Sequence, residues 1–160
     1  MRDMVTLPEA IWRRRLQSEY DAVMASSDKP VAVSSDLADY QFILRGPGYK
    51  REGGAIVPIS EHKISIYLTR NFPYAGGVEV IWDSPIFHPN IRESDGAVCI
   101  AILNYWSAST SVVEILKALR SMLANPNPES PLNGEAAKWM VDRGIAKMSA
   151  PKPGKPRIVI

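Results

Sequence analysis

One cysteine, two histidines and a formal net charge of only +2 set the first limits on this 160-residue chain. A single cysteine excludes an internal disulfide framework and suits a reducing compartment. His62, His88 and Cys99 stand at no close ligand spacing. A zinc site needs three or four protein ligands, so no metal is expected. The small charge gives no electrostatic footprint for nucleic acid. No apolar run approaches the roughly 20 residues that cross a bilayer. The opening MRDMVTLPEA has no apolar stretch of the kind that makes a secretory signal. The chain holds no G-x-x-x-x-G-K-S/T, no G-x-G-x-x-G between a strand and a helix, and no G-x-S-x-G. The expectation is a cytoplasmic protein with no cofactor, membrane or nucleic-acid partner.

What is present fits one globular unit. A hydrophobic fraction of 46% beside a charged fraction of 22% is ordinary for a soluble domain with its own core. Residues 1–150 are expected to form a single domain, with PKPGKPRIVI at 151–160 as a Pro/Lys-rich tail. A helix opens the chain. Thr6 and Glu9 make a T-x-x-E capping-box pattern with Pro8 in the first turn. Trp12, Leu16, Tyr20, Val23 and Met24 then follow helical spacing, and Arg13, Arg14 and Arg15 cover much of the other arc. Such a charge run is either a solvated face or a docking surface for an acidic partner.

From Val31 the period shortens to two. YQFILRG, KISIYLT and VEVIW read as strands, with GPGY and REGG as turn signals between them. Ile64, Ile66 and Leu68 alternate with Lys63, Ser65 and Tyr67, as in a half-buried strand. Strands this close together favour an antiparallel meander. IWDSPIFHPNI carries two prolines and reads as a last strand passing into an ordered irregular segment. Helices return with a second capping box, Ser111 and Glu114, ahead of Val112, Ile115, Leu116, Leu119, Met122 and Leu123; Asn125-Pro126 ends that helix. EAAKWMVDRGIAKM reads as a third helix with Asn133 at its N-cap. The fold class is therefore α+β, with helices packed on one antiparallel sheet.

Cys99 is the residue with the most chemical promise. Among Val98, Ile100, Ile102 and Leu103 it reads most simply as a small core hydrophobe. No nearby cation except Arg92 would lower its pKa. Against that reading, Asp95-Gly96 is a turn signal just ahead of it, and Asn90 is an amide that could donate to an oxyanion. Asn127 and Ser130, in a second proline-stiffened loop, could form a wall nearby. A Cys–His hydrolase would need His88 beside the sulfur and a third group to orient it.

The landmarks FHPNI at 87–91, GAVCIAIL at 96–103, Trp106-Ser107 and NPNPESPLN at 125–133 stand in one order. Together they resemble the ubiquitin-conjugating enzyme family, over roughly residues 12–140. YQFILRGPG and NFPYAGGVEVIW resemble its first strand and its Y-P-F-x-P-P-x-V segment. The resemblance implies an N-terminal helix, a four-stranded meander, an active-site loop, a central helix and a C-terminal helix. It implies that Cys99 takes the C-terminus of a ubiquitin-like modifier from an activating enzyme as a thioester and passes it to a lysine. It assigns Asn90 to loop order and oxyanion stabilisation, and His88 with Pro89, Trp106 and Asn127 to the scaffold. Ser130 stands where the family commonly has Asp, and sometimes Ser, to position and deprotonate the lysine. Arg13 and Arg14 match the surface that docks activating enzymes and ligases, and Tyr74, Ala108 and Ser109 match ligase-contacting loops. ATP would be used by the activating enzyme only.

Departures from the family pattern are equally specific. IRESDGAV holds one residue more than usual between Asn90 and Cys99. Ala101 replaces a commonly polar position, Ala108 a common proline, and AGGV the paired prolines before the last strand. They imply a divergent member, serving a modifier other than ubiquitin or a less studied system, bacterial or archaeal ones included. The rivals are a non-catalytic module that binds modifier or ligase on the same fold, and the Cys–His hydrolase.

Overall fold

A computed structural model describes residues 6–98 and 111–149. Elements run α1 (Glu9–Ala25), β1 (Ala32–Val33), β2 (Asp39–Glu52), β3 (Ala55–Leu68), β4 (Val78–Trp82), α2 (Val112–Ala124) and α3 (Gly134–Asp142). The four strands form one antiparallel meander in the order β1-β2-β3-β4. Cys99, Trp106, Ala108, Ser109 and the 151–160 tail lie outside the described residues.

The period-two pattern places the core. Tyr40, Phe42 and Leu44 of β2, Ile64, Ile66 and Leu68 of β3, and Val78, Val80 and Trp82 of β4 all turn inward and are buried. Their neighbours Ile43, Tyr67 and Ile81 stay exposed on the opposite face. Leu116 and Leu119 of α2, both fully buried, join the same core, with Leu16 and Val23 of α1. Each such side chain contributes about 1.5–3 kcal/mol by leaving water. Among the described residues no helix is long and apolar enough to cross a membrane.

The helix starts divide two to one. Ser111 caps α2 by accepting from Glu114 N at 3.3 Å, and Asn133 caps α3 by accepting from Ala136 N at 3.0 Å. Thr6 does not cap α1. The helix begins at Glu9, and Pro8, with no side-chain hydrogen bond to give, is its N-cap. Its carbonyl accepts from Ile11 N and Trp12 N, while Arg70 Nη2 donates to Leu7 O at 2.6 Å and fixes the entering chain. The apolar stripe also differs from expectation. Met24 is exposed, and Glu19, 4% exposed, occupies an inward position. Glu19 accepts from Arg15 Nε at 3.1 Å and from Val112 N at 3.0 Å, so Arg15 belongs to the inner side and only Arg13 and Arg14 are on the open arc.

Two glycine signals mean different things. REGG is the β2–β3 turn: Glu52 pairs Ala55, and Gly53 and Gly54 both have positive φ, the two-residue geometry suited to the twist of a hairpin. GPGY, expected as a turn, is instead a register shift between Arg45 and Gly48 inside an unbroken 14-residue strand. His62 fills the space there and donates from Nε2 to Gly46 O at 3.0 Å. A Cβ on Gly48 would lie 2.5 Å from its ring. The third helix is also shorter than its sequence pattern, stopping at Asp142 before Gly144 at φ +69°.

Candidate active site

Beyond Trp82 the chain leaves the sheet but stays tied to it. Asp83 N donates to Lys63 O at 2.8 Å, Ser84 Oγ accepts from Lys63 N at 2.9 Å, and Ser65 Oγ donates to Asp83 at 2.6 Å. Residues 86–91 then run fully buried, although they form no strand. Buried irregular backbone needs partners for its polar groups. The partners of this segment, for backbone and side chains together, come from Tyr49 of β2, the end of α2 and the 125–133 loop.

His88 reaches the C-terminal end of α2. The last carbonyls of a helix have no partner within it. His88 Nε2 donates to one of them, Met122 O, at 3.1 Å, and Nδ1 accepts from Asn90 N at 3.0 Å. Both ring nitrogens are thus used, and the ring is held in its neutral form. Burial pushes the pKa of His88 down to about 4, against a smaller upward pull from the Met122 carbonyl. Pro89 O accepts from Leu132 N at 2.8 Å and Asn133 N at 3.1 Å. The side chain of Asn90, 5% exposed, pairs with the backbone of Asn127 in both directions. Nδ2 donates to Asn127 O at 2.8 Å and Oδ1 accepts from Asn127 N at 3.0 Å. An amide nitrogen carries two hydrogens, so Asn90 keeps one beyond that pairing.

The segment after Ile91 folds as a tight loop. Ile91 bridges to Val98 and Ile81 to Ala97. Arg92 N donates to Ala97 O and Gly96 N to Arg92 O, both at 2.8 Å. Arg92 clasps Asp95 through Nε and Nη2 at 2.9 and 2.8 Å, and the hydrogen bonds from Arg92 and from Ala97 N hold the Asp95 carboxyl down at about 2. Gly96 sits at φ +76°, where a Cβ would stand 2.0 Å from Trp82 O. The loop closes on itself between 92 and 96, and Val98, the residue before Cys99, lies opposite Ile91, the residue after Asn90.

The other sequence-derived positions divide by distance. Asn127 meets Asn90 directly. Ser130 is exposed, at φ +50°, three residues on in the same loop. Tyr74 is half-buried in the turn before β4, where Gly77 N donates to its carbonyl. Arg13 is exposed on α1, paired with Glu9 at 3.0 Å and lying over Trp12; Arg14 is exposed beside it. Among the described residues no three His, Cys, Asp or Glu side chains group as metal ligands.

Sequence reasoning missed Arg51. It donates to Glu93 at 2.9 and 3.2 Å and to Glu135 at 2.7 and 3.2 Å, and its guanidinium lies 4.7 Å from the centre of the Phe87 ring. Its partners are 42 and 84 residues away. No local pattern could have shown them.

Known proteins resemble the chain along most of its length. The family profile described as "Ubiquitin-conjugating enzyme" matches residues 15–148. "Ubiquitin conjugating enzyme E2 B" of Dictyostelium discoideum is 43% identical over 120 residues, covering 74% of this chain and 76% of that one. "Ubiquitin-conjugating enzyme E2-20 kDa" of Schizosaccharomyces pombe is 35% identical over 135 residues, covering 81% and 73%. Among solved structures, a ubiquitin conjugating enzyme domain of Toxoplasma gondii superposes with a TM-score of 0.66 at 28% identity, over 82% of this chain and 88% of that one.

Proposed function

Since this chain belongs to the ubiquitin-conjugating enzyme family of transferases, we propose that Cys99 carries ubiquitin or a ubiquitin-like modifier as a thioester. The Cys99 thiolate attacks the modifier's C-terminal carbonyl on an activating enzyme, whose own cysteine leaves as a thiolate. One thioester replaces another, so the exchange is near thermoneutral and calls for no strongly depressed thiol pKa. A neutral substrate amine then attacks the same carbonyl carbon. The oxyanion collapses to an amide, the Cys99 thiolate leaves, and the amine loses a proton.

The second step is the harder one. A lysine with pKa about 10.4 is mostly protonated at neutral pH, and desolvation beside the thioester lowers that value. In this reading Ser130 helps position the lysine, and the remaining Asn90 N–H faces the developing oxyanion. The observation that carries the reading is the lock on Asn90: a buried amide, fixed at both atoms by Asn127, next to Ile91, which bridges to Val98, the residue before Cys99. His88 is not a general base in this reading, because Nδ1 already accepts from Asn90 N and Nε2 already donates to Met122 O. Arg13, Arg14, Tyr74, Ala108 and Ser109 serve as partner contacts, with activating enzyme and ligase docking at α1. The single domain 1–150 and a cytoplasmic location remain part of this reading.

The test is incubation with activating enzyme, modifier and ATP, read on non-reducing gels. Wild type forms a thiol-sensitive adduct, and Cys99→Ala forms none. Asn90→Ala still loads but discharges to free lysine about 10²–10³-fold more slowly, as expected for loss of an oxyanion donor. An adduct that persists in Cys99→Ala would refute the assignment of the cysteine. Wild-type discharge by Asn90→Ala would refute that of the amide.

A further inference from the structure

The β2–β3 hairpin is longer than the sheet requires. β1 pairs only Ala32 and Val33, and β4 pairs only with Ile64–Leu68, yet β2 and β3 continue together to Glu52 and Ala55. The projecting half lies against the active-site segment. Phe87 N donates to Tyr49 O at 2.7 Å, and Tyr49 meets the Trp139 ring of α3 edge-on at 4.9 Å. Phe87 meets the same ring at 5.9 Å. At the end of this arm stands Arg51, joined to Glu93 in the 92–96 loop, to Glu135 in the first turn of α3, and to the face of Phe87, the residue before His88.

We propose that Arg51 is a positioning residue for transfer: its double carboxylate clamp holds the 92–96 loop, and with it the Asn90 segment, against α3. Resting on the thioester reading above, the clamp gives the end of the hairpin arm a task beyond packing on Phe87 and Trp139. A guanidinium suits it because its planar fork can meet two carboxylates while its face covers an aromatic ring. Glu93 lies inside the 92–96 loop, so the loop supplies its own anchor point for the clamp. Among the described residues the partners of Arg51 are Glu93, Glu135 and the Phe87 ring, so its role is indirect. It acts on rate by limiting the arrangements that the loop can adopt around Asn90.

Arg51→Met keeps the apolar stem over Phe87 and removes the clamp. The full chain should keep a melting temperature close to wild type, since exposed ion pairs contribute little to stability. Thioester loading should be unchanged, while discharge to free lysine falls about fivefold, equivalent to roughly 1 kcal/mol of barrier. Arg51→Lys should recover only part of the rate. Glu93→Gln should slow discharge in the wild-type background and do nothing further beside Arg51→Met. At 1 M salt the wild-type advantage should shrink, because screening then acts over about 3 Å. Wild-type discharge by Arg51→Met, or a defect that ignores salt and adds to Glu93→Gln, overturns the proposal. Amide exchange at Arg92 and Gly96 is read in parallel on unloaded protein, where Arg51→Met should speed both. That readout judges the clamp even if wild type never loads Cys99, so the two readings fail separately.

Discussion

Acid should reveal His88. In the folded chain Nδ1 accepts from Asn90 N, so a proton added there would set two N–H groups against each other in a buried site. Burial holds the folded pKa at about 4, against an unfolded value near 6.5. The unfolded chain therefore binds the proton first. Stability from this group is complete above pH 6.5, declines as pH falls through the interval, and is gone below about pH 4. At about 1.4 kcal/mol per pH unit the loss is about 3 kcal/mol, a large share of the 5–15 kcal/mol that holds a typical domain together. Urea unfolding at a series of pH values from 7 to 4 measures it. His88→Gln supplies a non-titrating reference, whose amide can donate to Met122 O and accept from Asn90 N. Burial also lowers the pKa of His62, but that ring is present in both proteins and cancels in the difference. Wild type should lose stability more steeply than His88→Gln between pH 6 and 4.5, by about 1.4 kcal/mol per pH unit. Parallel curves would show that His88 titrates as it does in the unfolded chain, and the account of a locked neutral ring would be wrong.

Two stability predictions follow from close contacts elsewhere. Gly96→Ala combines a positive φ with a Cβ placed against Trp82 O, and should cost about 3 kcal/mol or more in denaturant unfolding; a loss under 1 kcal/mol would contradict the tight loop. Glu19→Ala strands Val112 N and should cost about 1–3 kcal/mol, while Glu19→Gln, which keeps an acceptor, should cost clearly less; equal losses would contradict the bond between α1 and α2.

The sequence showed its short-range structure well and its long-range structure poorly. Alternation in KISIYL was readable because each strand buries one face, and Ser111 and Asn133 were readable because a cap acts within three residues of itself. Thr6 fitted the same rule, but Pro8 started the helix two residues later. GPGY looked like a turn because Gly and Pro usually end strands. Here the facing strand is equally long, and pairing resumes beyond the shift. At the site, His-Pro-Asn and Asn127 could be picked out as residues, yet their bonds could not. Met122, Asn127 and Leu132 meet residues 88–90 across 34 to 43 positions, a relation that no local pattern encodes. Glu19 and Arg51 escaped notice for the same reason.

Three successive residues, His88, Pro89 and Asn90, are each held by a partner located after position 120. During synthesis the chain emerges from its N-terminus, so those residues leave the ribosome well before anything can anchor them. The meander can close first, because its strands are complete at Trp82. The anchors arrive only when α2 and the 125–133 loop have followed. A chain stopped short of Asn127 would leave Asn90 without the backbone partner that fixes its amide at both atoms. The lock on Asn90 is therefore a late event in the synthesis of the molecule, later than the closing of its sheet.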